Sequence, residues 1–443
     1  MSLRNRLPAF ESKDYRLWFA GQSVSLIGTW LQNTGQAWLV LKLTSSPFKL
    51  GLLTSVQFLP SLVLSLFIGP IVDRYPKRSL LLFTQTMFAI TALALAAVAF
   101  GGHAAYWQVF LIAAVTGIIT AIDGPTRQSF VSEQVHDRSA VTNAVALNST
   151  MFNMARVIGP AVGGVLIAAV GIPWTFILNA ISFIAVIVSL VFMQAGREPI
   201  RSVTSNYLAD VGEGIQYIRK NQVVMSLLTI AGVISVFLLN FNILIPSFAQ
   251  LTLGLQADGF GGLMSAMGMG ALAAGLLMSL GGTRLEPRAS YIYSSGFMLS
   301  IAMMLVGMQR DFYLSGVLLF FCGFGMAAIS TMCNTGLQMQ ASDAMRGRVM
   351  AAYNLVYVGS TPIGALYAGK ISDALGANMG FFVSGAIGLV FLVYMRVFVT
   401  PHTFGNRRTL AAPAGPVSVM TTEVQTADSP VMVDARSAEV DRD

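Results

Sequence analysis

Twelve long apolar segments occupy most of this 443-residue chain, and short polar loops separate them. Because roughly 20 apolar residues in a helix cross the hydrocarbon core of a bilayer, each segment is predicted to be a transmembrane helix. Helices satisfy their backbone hydrogen bonds internally, which lipid cannot do for them. The predicted segments are residues 15–41, 47–72, 79–100, 105–123, 140–169, 173–195, 223–250, 256–281, 288–308, 312–335, 348–372 and 379–399.

The composition agrees with a membrane protein. Only 11% of the residues are charged and 55% are hydrophobic, whereas a soluble domain carries roughly 25% charged residues. The net charge of +7 would suit a nucleic-acid partner, but the basic residues lie in short clusters between apolar segments and form no single basic face. We therefore expect an all-α membrane protein in contact with the lipid bilayer and no nucleic-acid partner.

The distribution of basic residues predicts the orientation. With the N-terminus inside, 22 Lys and Arg residues fall in cytoplasmic segments, and only Lys42, Lys49, Arg310 and Lys370 fall outside. Cytoplasmic loops of membrane proteins carry such an excess of positive charge. The first apolar run is too long for a signal peptide, so we expect it to remain as a helix. The sequence predicts a multi-pass protein of the cytoplasmic (inner) membrane with both termini in the cytoplasm.

The chain divides near its middle. Residues 196–222 form the longest internal connection, and apolar residues recur there at helical spacing from Tyr207 to Ile218. This pattern predicts an amphipathic helix on the cytoplasmic surface. The expected organisation is a cytoplasmic segment 1–14, a six-helix bundle 15–195, the linker 196–222, a second six-helix bundle 223–400, and a disordered cytoplasmic tail 401–443.

A charged turn joins the second and third segments, and its residues are Gly69, Asp73, Arg74, Lys77 and Arg78. The glycine permits close helix packing, and the acid can cap the N-terminus of a facing helix. Arg74 can pair with an acid at the end of a neighbouring helix, for which Asp123 is a candidate. Contacts of this kind can form in one conformation and break in another, as a gate requires. The alternative is a basic loop that only sets the topology.

The fifth segment carries Gly159, Pro160, Gly163 and Gly164. Glycines allow two helices to approach closely, and the proline removes a hydrogen bond and favours a bend. The pattern is consistent with ordinary helix packing or with a helix at the moving interface of two halves. The eleventh segment carries Thr361, Pro362 and Gly364 in a comparable place, which favours two pseudo-symmetric halves.

The charged turn resembles motif A of the major facilitator superfamily. Further stretches resemble its macrolide-efflux and enterobactin-exporter branch, and these are Leu17–Ser25, Gly28–Gln32, Trp38–Val40, Gly124–Gln128, Arg156–Gly164 and Arg346–Val349. The resemblance covers roughly residues 10–400. It implies the major facilitator fold, twelve transmembrane helices arranged as two pseudo-symmetric six-helix bundles.

The resemblance also implies roles for individual residues. Asp73 would steady the cytoplasmic end of the eleventh segment, and Arg74 would bridge towards Asp123. The glycines and proline of the fifth segment are similar to the end of motif C, which is typical of exporters in the superfamily. Ala146 and Ala155 stand where that motif usually has further glycines, so the match to motif C is partial.

Polar residues inside the apolar segments predict a substrate cavity. Arg156 lies near the middle of the fifth segment, where an arginine costs at least about 2.5–3.5 kcal/mol. It contacts either a substrate or a structural partner. The first segment carries a polar stripe on one helical face, made of Gln22, Ser25, Thr29, Gln32, Asn33 and Gln36. Gln57, Asn240 and Asn354 extend the candidate cavity, although each alone would also suit an interhelical hydrogen bond.

These features predict a secondary active transporter that exports drug-like or siderophore-like small molecules by alternating access. No acid lies at the centre of any segment, which leaves the coupling ion open, and the family resemblance implies protons. The missing acid and Arg156 favour neutral or anionic substrates over organic cations. An importer and a non-transporting sensor remain alternatives. The three histidines lie far apart, so we expect no enzyme, metal site or cofactor, and we expect a monomer.

Overall fold

The computed structural model describes residues 8–134, 138–193, 207–281 and 289–399. All regular structure within these ranges is helical. The α-helices are α1 (Lys13–Thr44), α2 (Pro47–Arg74), α3 (Lys77–Phe100), α4 (Tyr106–Glu133), α5 (Arg138–Val170), α6 (Pro173–Phe192), α7 (Tyr207–Lys220), α8 (Gln222–Leu238), α9 (Phe241–Ser247), α10 (Ala257–Gly281), α11 (Ala289–Met308), α12 (Phe312–Gln340), α13 (Arg346–Gly359), α14 (Thr361–Leu375) and α15 (Ala377–Tyr394).

Eleven stretches of the described chain are long and apolar enough to cross a membrane. One of them joins α8, α9 and a π-helical turn (Phe248–Thr252), and another joins α13 and α14. Helix α1, with 32 residues, is long enough to cross but falls outside this group because its polar stripe lowers its apolar content. Together with α1 these stretches give the twelve predicted spans. Helix α7, with 14 residues, is too short to cross.

Large apolar side chains cover the outer surface of the bundle. Trp107, Leu111, Val115 and Ile118 recur along one face of α4, and each is at least 43% exposed. Soluble proteins rarely expose apolar surface on this scale. The exposed face of α4 therefore suits contact with lipid chains.

Side-chain caps explain several helix boundaries. The hydroxyl of Ser12 accepts a hydrogen bond from the backbone N–H of Tyr15, and α1 begins there. At the other end of α1, Ser45 adopts a left-handed conformation (φ 49°), and Ser46 then caps α2, with Pro47 at its first position. Asp311 caps α12 through the N–H of Leu314 at 2.7 Å. Such caps satisfy the N–H groups that the first turn of a helix leaves unpaired.

The spans pack into two groups. In the N-terminal half, α1 packs against α5 and α6, α2 against α4, and α3 against α4 and α6. In the C-terminal half, α10 and α11 pack against α12, and α11 also packs against α15. Two helix pairs, α5 with α10 and α2 with α14, form most of the contact between the halves.

Two spans of the C-terminal half are interrupted, although the sequence predicted continuous helices over 223–250 and 348–372. The first break lies at Leu239 and Asn240, where the Asn240 side-chain amide donates to the carbonyl of Val236 at 2.6 Å. The second lies at Ser360, two residues before Pro362, whose ring lacks an N–H donor. The two breaks lie side by side, because the Asn240 side chain lies against Gly364 of α14.

Candidate functional site

The bundle has two ends that differ in charge. We call the end with Lys77, Arg78, Arg346 and Arg348 the basic end. The opposite end holds the α1–α2 and α14–α15 connections. The two halves meet differently at these ends.

Glycines bring α5 and α10 together towards the opposite end. A Cβ atom added at Gly164 would lie 2.6 Å from the carbonyl oxygen of Ala257 and 2.8 Å from the Cα of Gly261. Only glycine fits at such distances. A Cβ atom at Gly268 would likewise lie 2.7 Å from the Val157 side chain. The predicted close approach of the fifth segment is therefore present, and its partner is α10.

The other glycines of the fifth segment face α1 of the same half. A Cβ atom at Gly159 would lie 2.3 Å from the Cβ of Trp30, and one at Gly163 would lie 3.2 Å from Thr34. Pro160 is buried within α5, and its carbonyl oxygen lies against Gly261. The four predicted residues thus join α5 to α1 on one side and to α10 on the other.

Helices α2 and α14 complete the contact at the opposite end. The Ser55 hydroxyl lies 2.7 Å from the carbonyl oxygen of Pro362, and Ser46 donates to Asp373 at 2.8 Å. Between these two contacts, Gly51 and Gly369 allow the backbones to approach. We call the α2–α14 and α5–α10 contacts together the seal. A cavity of about 290 Å³ lies beyond the seal at the opposite end, lined in part by Ser45, Arg310 and Asp373.

Two glycines of the C-terminal half towards the basic end have no close neighbour. Gly275 of α10 and Gly347 of α13 face open space, with no described atom within 4 Å of an added Cβ. Charged side chains at this end form pairs inside the N-terminal half and between the C-terminal half and the linker helix α7. Lys77 pairs with Glu133, and Arg348 pairs with Glu213 at 2.7 Å. We call the space between the halves the groove, and the close contacts described between the halves lie at its opposite end, which is therefore its closed end.

Arg156 lies at the closed end of this groove, one turn before Gly159. Its guanidinium lies 5.8 Å above the Trp30 ring of the same half. Its Nη2 atom donates to the Met326 sulfur of the C-terminal half at 3.3 Å. The Nε atom is buried, and no described group accepts its hydrogen bond. Tyr357 of α13 lies in the neighbourhood of Arg156.

Tyr357 belongs to an ordered group in the C-terminal half. Its hydroxyl lies 2.8 Å from the Ser330 hydroxyl, and its ring stacks on Tyr353 at 5.3 Å. Its carbonyl accepts a hydrogen bond from Ser235 at 2.5 Å. These contacts fix the phenol at the boundary between the halves, close to Arg156.

The residues of the predicted polar stripe have different surroundings. Gln32 accepts a hydrogen bond from Asn179 of α6 at 2.8 Å, and the Thr29 hydroxyl donates to the carbonyl of Ser25 at 2.9 Å. Gln22 and Gln36 are buried, with amide atoms that have no partner among the described residues. Ser25 is buried as well, whereas Asn33 is exposed. The stripe thus faces α6 at Gln32 and open space at Asn33.

The other predicted cavity residues are scattered. Asn354 of α13 is exposed, Gln57 is half-buried beside Gly117 of α4, and Asn240 is buried at the break between α8 and α9. The structure brings none of the three into contact with Arg156. Their role in a cavity stays a prediction.

The predicted gate residues lie at the basic end. Gly69, Asp73 and Arg74 lie in α2, but the surroundings of Gly69 and the side chains of Asp73 and Arg74 are not described. The Arg74–Asp123 pair therefore stays a prediction. Arg78 donates to the carbonyl oxygens of Leu190 at 2.6 Å and Val191 at 2.8 Å, the last turn of α6. A cation there also interacts favourably with the helix dipole.

Asp123 is buried, with 3% of its surface exposed. It accepts hydrogen bonds from the Thr84 hydroxyl and the Gln85 amide, both at 2.8 Å, and it pairs with Arg127 of the next helical turn. The acid therefore joins α3 to α4 inside the N-terminal half.

Sequence reasoning missed three features: the Gly261 partner of Gly164, the Tyr357 group and the Lys77–Glu133 pair. The first had a signal, because Gly261 and Gly262 form a second glycine pair in an apolar segment. Spacing along one helix cannot show which residues of distant helices meet. The disordered tail predicted for 401–443, the segment 1–7 and the linker part 194–206 lie outside the described residues.

A comparison with models of protein families identifies the family to which the chain belongs. The family model described as "Transmembrane secretion effector" matches residues 6–438. The chain belongs to this family. It is a major facilitator transporter, a multi-pass membrane protein that acts on small molecules and not an enzyme.

Curated relatives of this transporter match over most of their length. The Staphyloferrin A transporter of Staphylococcus aureus is 27% identical over 84% of this chain and 92% of the relative. Macrolide efflux protein A of Streptococcus pyogenes is 24% identical, covering 85% and 93%. The multidrug efflux pump Tap of Mycobacterium tuberculosis is 26% identical, covering 82% and 86%.

Solved structures share the fold of this transporter. A D-xylose-proton symporter superposes with a TM-score of 0.69 at 13% identity, over 86% of this chain and 98% of the symporter. A bacterial homologue of the lysosomal transporter Spinster, in an inward-facing conformation, gives 0.65 at 15% identity, over 86% and 95%. At these identities the likeness concerns the fold alone. The twelve-helix major facilitator fold expected from the sequence is confirmed.

Proposed function

We propose that this transporter exports drug-like or siderophore-like small molecules across the cytoplasmic membrane. The observation that carries the proposal is the cluster of Arg156, Trp30, Met326 and Tyr357 at the closed end of a groove between the halves. In transporters of this architecture the substrate binds between the halves near the bilayer midplane. The efflux function in two relatives' names supports export over import.

The transport cycle is alternating access between the halves 15–195 and 223–400. With the basic end in the cytoplasm, the described conformation receives substrate from the cytoplasm, and the seal closes the outer side. Outward opening requires α5 to leave α10 and α2 to leave α14. Neither pair is held by a salt bridge among the described residues, so the opening separates no ion pair there.

Proton antiport is the proposed energy source. No Asp or Glu lies in the interior of the helices around Arg156, so the proton site would be at the basic end. Asp123 is the buried acid there, and Asp73 and Arg74 are its proposed partners in the gate. The transporter needs no metal or cofactor in this cycle, and it would work as a monomer.

Inverted membrane vesicles containing the full chain test export. A panel of antibiotics and siderophores is offered outside the vesicles, with the lumen acidified. The proposal predicts uptake that a protonophore abolishes and that Asp73→Asn slows by about tenfold or more, a loss on the order of 1.4 kcal/mol. Glu11→Gln, which removes an exposed acid near the N-terminus, is the matched control and retains the wild-type rate.

The same vesicles separate the alternatives. An importer would accumulate substrate in right-side-out vesicles and not in inverted ones. A sensor would bind a compound without exchanging it, so counterflow in proteoliposomes would be absent. Either result would overturn the proposed export.

A further inference from the structure

We propose that Arg156, Trp30 and Tyr357 form an anchoring subsite for an organic anion that carries an aromatic group. The inference rests on the proposed substrate groove and deepens it, because it assigns a chemical class to the molecule that binds there. It excludes organic cations as preferred ligands of this subsite. The carboxylate of the ligand would contact Arg156, and its ring would lie between the aromatic side chains of the two halves.

Among the described residues, no carboxylate pairs with Arg156. The sequence places no Asp or Glu inside α5, α8, α11, α12 or α13, so no carboxylate can reach the guanidinium from these helices. An unpaired charge away from bulk water is costly, and a ligand anion would offset that cost.

The contacts that Arg156 does make are ones it can release at low cost. A thioether sulfur is a weak acceptor, and the face of Trp30 attracts a cation without a directed hydrogen bond. Within the described ranges, no group accepts a hydrogen bond from the Nε atom of Arg156. A carboxylate accepts two parallel hydrogen bonds from a guanidinium, and one of them would use Nε. The arginine is thus pre-positioned with its strongest bonding capacity unused.

Aromatic side chains flank the guanidinium on both sides of the groove. In the N-terminal half, Trp30 meets Phe152 edge to face at 5.9 Å. In the C-terminal half, the rings of Tyr353 and Tyr357 stack, and the Tyr357 hydroxyl bonds to Ser330, one helical turn along α12 from Met326. A ligand ring bound here would contact both halves, so the ligand would bridge them at the closed end of the groove. This placement favours an aromatic acid over an aliphatic one.

A merely structural Arg156 would behave differently. In that case the residue would stabilise the fold and would not discriminate between ligands that differ only in charge. Three compounds with one ring system separate these roles: 1-naphthoate, 1-naphthamide and 1-naphthylmethylammonium. They match in size and apolar surface and carry a negative, a neutral and a positive group.

The experiment measures binding of the three compounds to the purified full chain in detergent. We expect 1-naphthoate to bind about tenfold or more tightly than the ammonium compound, with the amide between them. Arg156→Gln should bring the three dissociation constants to within about threefold of one another. Arg156→Lys keeps the charge but cannot donate two parallel hydrogen bonds to one carboxylate. It should therefore retain part of the preference for 1-naphthoate over the ammonium compound.

The control is Arg16→Gln, which removes the same charge from an exposed position at the start of α1 and should leave the preference intact. Thermal unfolding of each variant shows whether it is folded. Tighter binding of the ammonium compound, equal binding of all three, or no binding by any of them overturns the inference. So does an acid preference that survives in folded Arg156→Gln. Binding needs no movement of the ligand across the membrane, so the binding result can be interpreted even if the vesicles show no export.

Discussion

The two ends of the bundle are held together by different means. At the opposite end the halves meet through backbone, in the Gly164–Gly261 approach and the carbonyl of Pro362. At the basic end charged side chains form ion pairs, as Lys77 does with Glu133 inside the N-terminal half. Packing of backbone against backbone depends on shape and is lost over a fraction of an ångström, whereas a charge pair inside one half is not stretched when the halves move apart. We therefore expect the seal to separate as a unit, while charge pairs at the basic end keep the N-terminal half internally rigid.

The largest expected effect comes from a side chain inside the seal. Gly164→Val would place atoms within 2.6 Å of the Ala257 carbonyl, so α5 and α10 would have to separate. Overpacking of this kind costs about 1–3 kcal/mol, and the cost falls on the sealed conformation. We expect transport to fall by about tenfold or more. Spin labels at Lys42 and Arg310, both exposed at the opposite end, should move apart.

Gly275→Val is the matched control for that change, because it makes the same substitution on α10 where an added Cβ meets no described atom. It should leave the distance between the spin labels unchanged. If Gly164→Val also leaves the distance unchanged, glycine packing does not hold α5 against α10. That result would contradict the proposed difference between the two ends of the bundle.

A smaller effect is expected from the buried acid. Asp123→Asn removes the charge that pairs with Arg127 and weakens the hydrogen bonds from Thr84 and Gln85. Arg127 is 26% exposed, so the cost is lower than the roughly 3–5 kcal/mol of a fully buried pair and amounts to about 2 kcal/mol. The midpoint of thermal unfolding in detergent should fall by several degrees. Thr86→Ala, at an exposed position on α3, should not change it, and an unchanged midpoint for Asp123→Asn would contradict the proposed rigidity of the N-terminal half.

A still smaller effect follows from the Ser55 hydroxyl in the seal. Ser55→Ala deletes a hydroxyl whose one proton is shared between the carbonyls of Pro362 at 2.7 Å and Gly51 at 2.8 Å, and a hydrogen bond of this type contributes about 1 kcal/mol. The spin-label distance distribution should shift towards separated halves by about fivefold in population. Thr54→Ala, whose hydroxyl bonds only within α2, serves as the control. Equal shifts in both variants would show that α2 itself, and not the seal, responds.

The smallest effect is expected at the basic end. Glu213→Gln breaks the pair between α7 and Arg348, and both side chains are partly exposed at 60% and 30%. Exposed pairs contribute about 0–1 kcal/mol. Thermal stability should change by less than the Asp123→Asn variant, and transport should remain. A loss as large as that of Gly164→Val would mean that α7 controls the gate.

Much of the fold could be predicted from the sequence, because membrane spans follow from apolar length. Helix α5 spans Arg138–Val170 where residues 140–169 were expected, and α15 begins at Ala377 where 379 was expected. The end of the fourth span was placed wrongly at residue 123. Asp123 and Pro125 are usual stop signals, yet α4 continues to Glu133. Pairing of Lys77 with Glu133 anchors these extra turns to α3.

The candidate site was less predictable. The position of Arg156 within a span could be read from hydropathy, but Met326 and Tyr357 lie 170 and 201 residues away along the chain. The sequence also did not predict which polar residues of α1 contact α6. Gln32 differs from Asn33 by one position, yet the first bonds to Asn179 and the second is exposed. A turn of 100° per residue decides this, and the neighbours of each face come only from tertiary packing.

The side-by-side breaks at Asn240 and Ser360 give the C-terminal half a joint that the described N-terminal spans lack. Helices bend most easily where the backbone ladder is already open. Because the two breaks touch, bending one span carries the other with it. The C-terminal half would then bend during closure while the N-terminal half moves as a rigid body, and the pseudo-symmetric halves would differ in flexibility.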